Sequence, residues 1–246
     1  MDNDFFEKMY KFQKMYDECS NIVFFGGAGV STESGIPDFR SIDGLYYQQW
    51  KYPPEQILSH TFFEQNTKEF FRFYRQKLIN PKAKPNKAHF ALAKMEEKGK
   101  LKAVVTQNID GLHQAAGSKK VYELHGSIMR NYCTKCKKSF PVDFIAKGNE
   151  NEIPFCECGS IVKPDVVLYE ESLNDKVINE SVNAVKNADL LIIGGTSLIV
   201  YPAASFINYF AGKYLVVINK SLTSANTIAN ISFQDPIGKV LENLKI

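Results

Sequence analysis

The chain has 246 residues, 44% of them hydrophobic and 23% charged, a globular mixture that argues against a disordered chain. Its 30 basic and 27 acidic residues leave a net charge of +3, too small to argue for a direct nucleic-acid partner. No apolar run approaches the ~18 residues that a bilayer span requires, so the chain reads as soluble, cytoplasmic and without a membrane partner.

Residues 1–20 are polar and amphipathic. Phe5, Met9, Phe12 and Tyr16 recur at helical spacing and predict a helix. An apolar signal-peptide core is lacking there. Four short apolar runs follow along the chain. Residues 21–25 run into Gly26-Gly27, and 103–105 into Thr106-Gln107-Asn108. Residues 190–193 run into Gly194-Gly195-Thr196-Ser197, and 215–218 into Asn219. Continuous β-branched runs without alternation are expected of strands buried on both faces. Helical patterns at 87–98 and 176–187 lie between them. The alternation predicts an α/β fold with a parallel sheet. In such a sheet the ligand sits beyond the carboxyl ends of the strands, where this chain places small and polar residues.

Two segments break that rhythm. Residues 41–86 carry Pro53-Pro54, Pro81 and Pro85 as punctuation. Phe62, Phe63, Phe70, Phe71, Phe73 and Tyr74 there predict one or two helices packed by aromatic contact. Residues 129–163 hold four clustered cysteines and little apolar content. The two insertions read together as a smaller domain whose core needs a staple.

Gly26-Gly27-Ala28-Gly29-Val30-Ser31 follows the first strand. Such a turn lets backbone approach a pyrophosphate, with a following helix N-terminus to offer N–H groups. Position 32 is Thr where the dinucleotide fingerprint has its third glycine, and the next strand is about 75 residues on, so an ordinary dehydrogenase half-site is disfavoured. A tight strand-to-helix turn without ligand is the alternative. Gly35-Ile36-Pro37-Asp38-Phe39-Arg40 then offers a carboxylate, a ring and a guanidinium from a fixed loop. At the second strand end, Asp110 can cap the helix through His113, a role less natural for Gln107 and Asn108. Glu123-Leu124-His125-Gly126-Ser127 reads as a short strand ending at a histidine, with a glycine allowing close approach. His60, His89 and His113 lack that setting and read as structural.

Cys133-x-x-Cys136 is followed after 19 residues by Cys156-x-Cys158. Four thiolates in this arrangement suit a structural, closed zinc site. The second pair is one residue shorter than usual, and Gly159 permits the tighter turn. Cys19 reads as a packing residue.

Taken in order, these segments resemble the sirtuin family, of bacterial type. The matching pieces are 27–31, 35–40, Gln107-Asn108-Ile109-Asp110, Glu123-Leu124-His125-Gly126 and the two cysteine pairs. Lys163-Pro164-Asp165-Val166-Val167 and Gly195-Thr196-Ser197-Leu198 complete the set. The resemblance implies a Rossmann-like NAD-binding domain built from 1–40, 87–128 and 164–246. It implies a small domain combining the helical insertion at 41–86 with the zinc ribbon at 129–163.

It further implies an NAD-dependent protein-lysine deacetylase, with acetylated lysine of proteins as substrate, acting as a monomer. NAD is consumed and zinc is structural. The turn of Gly27, Ala28 and Gly29 would hold the pyrophosphate. Phe39 would cover the nicotinamide ribose, and Arg40 would contact the cofactor. Asn108 and Asp110 would place the nicotinamide, with Ile109 packing beside it. Ser31, Thr32, Asp38, Gln107 and Gly195 would complete that side of the site. Thr196, Ser197, Asn219, Lys220 and Asp235 would surround the phosphates and adenosine. The acetyl oxygen would attack the ribose to give an alkylimidate. His125 would then accept a ribose hydroxyl proton near neutral pH. The peptide would pair as a strand between Val167, Leu168, Tyr169 and Glu170 on one side and Ile199, Val200 and Tyr201 on the other.

Gly26 stands where the family commonly has Thr, and Glu170 where a Gly is usual. Tyr74 is followed three residues on by Lys77 and not Arg, which favours acetyl or other uncharged acyl groups over succinyl. Two rival readings remain open: an ADP-ribosyltransferase of the same fold, against which His125 leans, and a non-enzymatic NAD-binding or zinc-ribbon recruitment module.

Overall fold

The computed structural model describes residues 3–38, 44 and 50–246; Phe39, Arg40 and part of the insertion at 41–86 lie outside them. Its strands are β1 (Ile22–Gly26), β2 (Leu101–Thr106), β3 (Val121–Glu123), β4 (Gly126–Cys133), β5 (Ser139–Pro141), β6 (Val162–Val166), β7 (Leu190–Gly194), β8 (Tyr214–Ile218) and β9 (Ile231–Phe233).

Six of these form one parallel sheet in the order β3-β2-β1-β7-β8-β9. The sheet grows outward in one direction from β1 and in the other from β7. Their boundary is therefore the switch point, where open α/β sheets form a ligand crevice at the strand carboxyl ends. This Rossmann-like arrangement is the predicted α/β fold.

The pleat explains the continuous apolar runs. Ile22, Phe24, Leu190, Ile192, Val216 and Ile218 face one apolar cluster, while Val23, Phe25, Leu191, Ile193, Leu215 and Val217 face another. The first cluster is closed by α1 (Asn3–Glu18), whose Phe5, Met9, Phe12 and Tyr16 are buried as the spacing predicts. The second is closed by the 3₁₀ segment Ala203–Tyr209 and by Val185.

In the insertion at 41–86 the aromatic run forms two helices, within the one or two expected, and a further short helix precedes them. The insertion's described part holds α2 (Pro54–Ile57), α3 (His60–Gln65) and α4 (Thr67–Phe73), with a π-helical turn over Tyr74–Leu78. Ser59 caps α3 by accepting from the Phe62 amide, and Asn66 at φ −133° separates α3 from α4. The helix of the first predicted pattern is α5 (Lys87–Glu97). After it come α6 (Leu112–Ala115), α7 (Val142–Ala146), α8 (Asp175–Lys186, the second predicted pattern) and α9 (Ile237–Glu242).

The smaller sheet runs β5-β4-β6, antiparallel throughout. Phe62, Phe63, Phe70, Phe71 and Tyr74 share one apolar cluster with Cys133, Ile145, Cys156 and Val162. Edge-to-face ring pairs, such as Phe63 with Phe70 at 5.0 Å and 82°, fill its centre. The two insertions, far apart in sequence, thus bury each other.

Candidate active site

The ends of β1, β2 and β7 meet at the switch point, and glycine lets them meet closely. A Cβ on Gly27 would sit 2.9 Å from Thr196 Cβ, and one on Gly29 2.7 Å from Gly195 Cα. The segment beyond the turn is not the long helix the fingerprint suggests. It is a pair of 3₁₀ turns, Ala28–Val30 and Thr32–Ser34. Gly29 donates its amide to the Gly195 carbonyl, Val30 to that of Gly27, Ser31 to that of Ala28 and Ser34 to that of Ser31.

Ser31 is the junction of this turn with the second strand end. Its Oγ donates to Asp110 Oδ2 at 2.6 Å and accepts from Asn108 Nδ2 at 3.1 Å. Asp110 also accepts the Leu112 amide at 2.9 Å, but it is not the cap the sequence suggests: the N-cap of α6 is Gly111, which carries no side-chain cap, and Asp110 stands one residue before it. Burial pushes the Asp110 carboxyl above its ordinary pKa, against the pull of those two hydrogen bonds. Gln107 reaches Thr196 Oγ1 at 3.3 Å, and the Ile109 carbonyl accepts the Ile128 amide at 2.9 Å.

His125 does not end a strand. β3 stops at Glu123, Leu124 and His125 form a turn, and β4 starts at Gly126. Gly126 has φ +75°, and an added Cβ would run into the Asp165 carbonyl, so only glycine lets the chain cross from one sheet to the other. The His125 ring lies with Nδ1 3.0 Å from the Gln107 carbonyl. A carbonyl only accepts, so the proton sits on Nδ1 and Nε2 keeps a bare lone pair. Burial lowers the His125 pKa, more than the hydrogen bond to Gln107 raises it. Burial thus favours the neutral imidazole. The His125 carbonyl accepts the Val167 amide at 3.0 Å, joining the backbone at His125 to the 167–171 segment.

Elsewhere the predicted residues are placed as follows. Asn219 is buried and spends its amide on the backbone of Thr196, accepting from N at 3.0 Å and donating to O at 2.7 Å. It supports the 195–197 turn. Ser197 and Lys220 are exposed, and Asp235 pairs with Lys239 at 2.7 Å. Thr32 Oγ1 donates to Gly29, and Asp38 is half-buried. Tyr169, Ile199 and Tyr201 are large apolar side chains left 40%, 59% and 73% exposed on the two segments expected to hold a peptide. Leu168 is buried, and Val167 and Val200 are half-buried. Two open surface grooves, of about 470 and 680 Å³, hold none of the predicted residues. His89 and His113 are buried against each other with ring centroids 4.7 Å apart, apart from the strand-end turns, as their structural reading expects.

Sequence reasoning missed Asn86. Its Nδ2 donates to the Val30 carbonyl at 2.8 Å and to Ser34 Oγ at 2.9 Å, pinning the turn after β1. The signal was its position before a helical pattern, with His89 three residues on accepting the Asn86 amide in a reciprocal cap.

Cys133, Cys136, Cys156 and Cys158 bring their Sγ atoms within 4.8 Å of one another. Cys133 lies 3.4 Å from Cys158, and Cys136 3.6 Å from Cys156. A tetrahedral ion with ~2.3 Å bonds to sulfur sets neighbouring sulfurs about 3.8 Å apart, so the donor set fits zinc. The shortened second pair is accommodated because Gly159 turns at φ +81°.

The Sir2 family model matches residues 27–202. An NAD-dependent protein deacetylase of Clostridium acetobutylicum is 61% identical over 97% of this chain and 98% of its own length. One of Thermotoga maritima is 41% identical over 92% of each. A solved Sir2 structure with p53 peptide and NAD+ is 38% identical, covers 95% of each chain and has a TM-score of 0.84. Another, a histidine-to-alanine Sir2 variant with deacetylated p53 peptide and 3'-O-acetyl ADP-ribose, is 39% identical over 96% of each, with a TM-score of 0.87. With this match running from the glycine turn through residue 202, the chain belongs to the Sir2 family.

Proposed function

We propose that His125 is the general base of this chain's reaction and takes a ribose hydroxyl proton onto Nε2. The chain is an NAD-dependent protein deacetylase: acetyl-lysine, NAD and water give lysine, nicotinamide and O-acetyl-ADP-ribose. The observation that carries the role of His125 is its hydrogen bond to the Gln107 carbonyl, which fixes the tautomer and leaves the acceptor nitrogen bare. Burial, which lowers the His125 pKa, favours the form in which that nitrogen is unprotonated.

Asn108 and Asp110, tied through Ser31, are the groups we assign to the nicotinamide end. The assignment rests on their place at the switch point. The Gly27–Gly29 turn, Thr196 and Ser197 are assigned to the rest of NAD, and the 167–170 and 199–201 segments to the peptide. Exposed Tyr169, Ile199 and Tyr201 support the last assignment. The four cysteines suit a structural zinc site that cross-links the ribbon. The shared core of the two insertions supports reading them as one small domain, with the rest as the other. The reading extends to a cytoplasmic monomer acting on protein, and the net charge of +3 is too small to argue for a nucleic-acid partner.

Incubation with NAD and an acetyl-lysine peptide, read by mass spectrometry, tests the activity. Deacetylation matched by nicotinamide release is expected; ADP-ribose added to protein would favour the transferase alternative. His125→Ala should lower kcat by roughly 10²–10⁴-fold with NAD binding retained. In the wild type, kcat/KM should fall as pH falls, because protonation removes the base, with the limb below the ordinary histidine value of 6.5. A limb above 6.5, or a His125→Ala variant at the wild-type rate, contradicts the assignment. A strong chelator should release about one zinc per chain and melt the ribbon; well-folded protein without metal would overturn the zinc assignment.

A further inference from the structure

Residues 168–171 form a tight turn in which the Glu171 amide donates to the Leu168 carbonyl at 3.0 Å. Glu170, the third residue of that turn, has φ +75°. Turns of this kind call for glycine there, because L side chains rarely adopt a positive φ. A glutamate in such a place persists only when its surroundings hold it.

Here the holding group is its own carboxylate. Glu170 Oε2 accepts the Thr61 amide at 2.9 Å and Thr61 Oγ1 at 2.7 Å. These bonds hold its pKa below the ordinary carboxylate range. Next to it, Tyr169 accepts the His60 amide at 3.0 Å and donates to Leu58 at 2.9 Å. Glu171 bridges His60 Nδ1, Lys163 Nζ and the Leu168 amide at 2.9, 3.1 and 2.9 Å. The first two amides of α3 are thus satisfied by the 169–170 segment. One residue upstream of that turn, Val167 is bonded to the His125 carbonyl.

Resting on the deacetylase reading, we propose that Glu170 is a positioning residue of the peptide site. Its carboxylate latches the 167–171 segment to the start of α3, so the segment and the Tyr169 ring are set in place before substrate arrives. The side chain that strains the turn also ties it down. Its work is to spare the peptide the cost of ordering that segment.

The test compares Glu170→Ala, Glu170→Gly and Glu170→Gln in the intact chain. Two acetyl-lysine peptides are used, flanked by basic or by acidic residues. Amide hydrogen exchange at Thr61 and Tyr169 is followed alongside and needs no turnover. Alanine keeps the strained Cβ and loses the latch. It should raise KM for both peptides by roughly three- to ten-fold, with the main effect in KM and not kcat, and speed exchange at both amides. Glycine relieves the turn and should fall between alanine and wild type. Glutamine keeps an acceptor oxygen and should restore most of the wild-type KM. Faster exchange with unchanged KM makes the latch merely structural and overturns the proposal. So does a KM effect confined to the basic peptide, which would make Glu170 a charge reader. Failure of the wild type to deacetylate either peptide would instead count against the deacetylase reading, while unchanged exchange in the alanine variant would count against the latch alone.

Discussion

The turn at 26–29 and the turn at 168–171 both lie beside strands that lead to the site, yet one is glycine-rich and the other carries a glutamate. At Gly27 and Gly29 no positive φ is involved; what forbids a side chain is the backbone of Gly195 and Thr196, crowding the place where a Cβ would go. At Glu170 the dihedral is the unfavourable one, but the side chain is exposed and finds Thr61. A glycine required for space has no substitute, because the obstacle is backbone that cannot turn aside. A glycine preferred for dihedral can be replaced when the new side chain makes a compensating bond.

Gly126 combines both requirements, with φ +75° and the Asp165 carbonyl in the way. Gly126→Ala should cost about 3 kcal/mol or more and abolish deacetylation, because the displaced chain is the one that carries His125. A thermal melt and an activity assay check this; a variant of near-normal stability would break the distinction. Gly29→Ala meets only the steric obstacle, 2.7 Å from Gly195 Cα. A loss of about 1–3 kcal/mol is expected, along with weakened NAD affinity by calorimetry as the two strand-end turns are pushed apart. Gly35 has φ +79°, and a methyl group there would meet nothing within 4 Å. Gly35→Ala should cost only about 1–2 kcal/mol, the dihedral penalty alone. If a thermal melt showed it to be as damaging as Gly29→Ala, space would not be the deciding term at the 26–29 turn.

Much of the site was legible because its chemistry is local. The runs at 21–25 and 190–193 announce buried strands by their lack of alternation, and the strands β1 and β7 that they form are buried over their whole length. The four cysteines announce a metal by type and spacing. Harder to read were features that depend on partners far along the chain. Asn86 lies 56 residues from Val30, whose carbonyl it holds. The 3₁₀ turns after Gly27 stand where a helix is expected, and one of their amides, that of Gly29, bonds to Gly195, more than 160 residues on. The aromatic run at 62–74 suggested helices but not their breaks, since Asn66 and Ser59 act through φ and capping and leave no periodic trace.

The sequence by itself determined the elements and the inventory: parallel strands with polar ends, a four-thiol cluster, a histidine beside a glycine, and a motif order specific to one family. The tertiary structure decided what those parts do to one another. The strand order β3-β2-β1-β7-β8-β9 places Gly29 against Gly195 and Ser31 against Asp110. The Gln107 carbonyl selects the His125 tautomer, and α3 supplies the partner that makes a glutamate tolerable at 170. The physical reason is one of range. Burial patterns and metal-ligand chemistry are written in neighbouring residues, whereas a hydrogen bond between distant residues exists only once the sheet has brought their strands together.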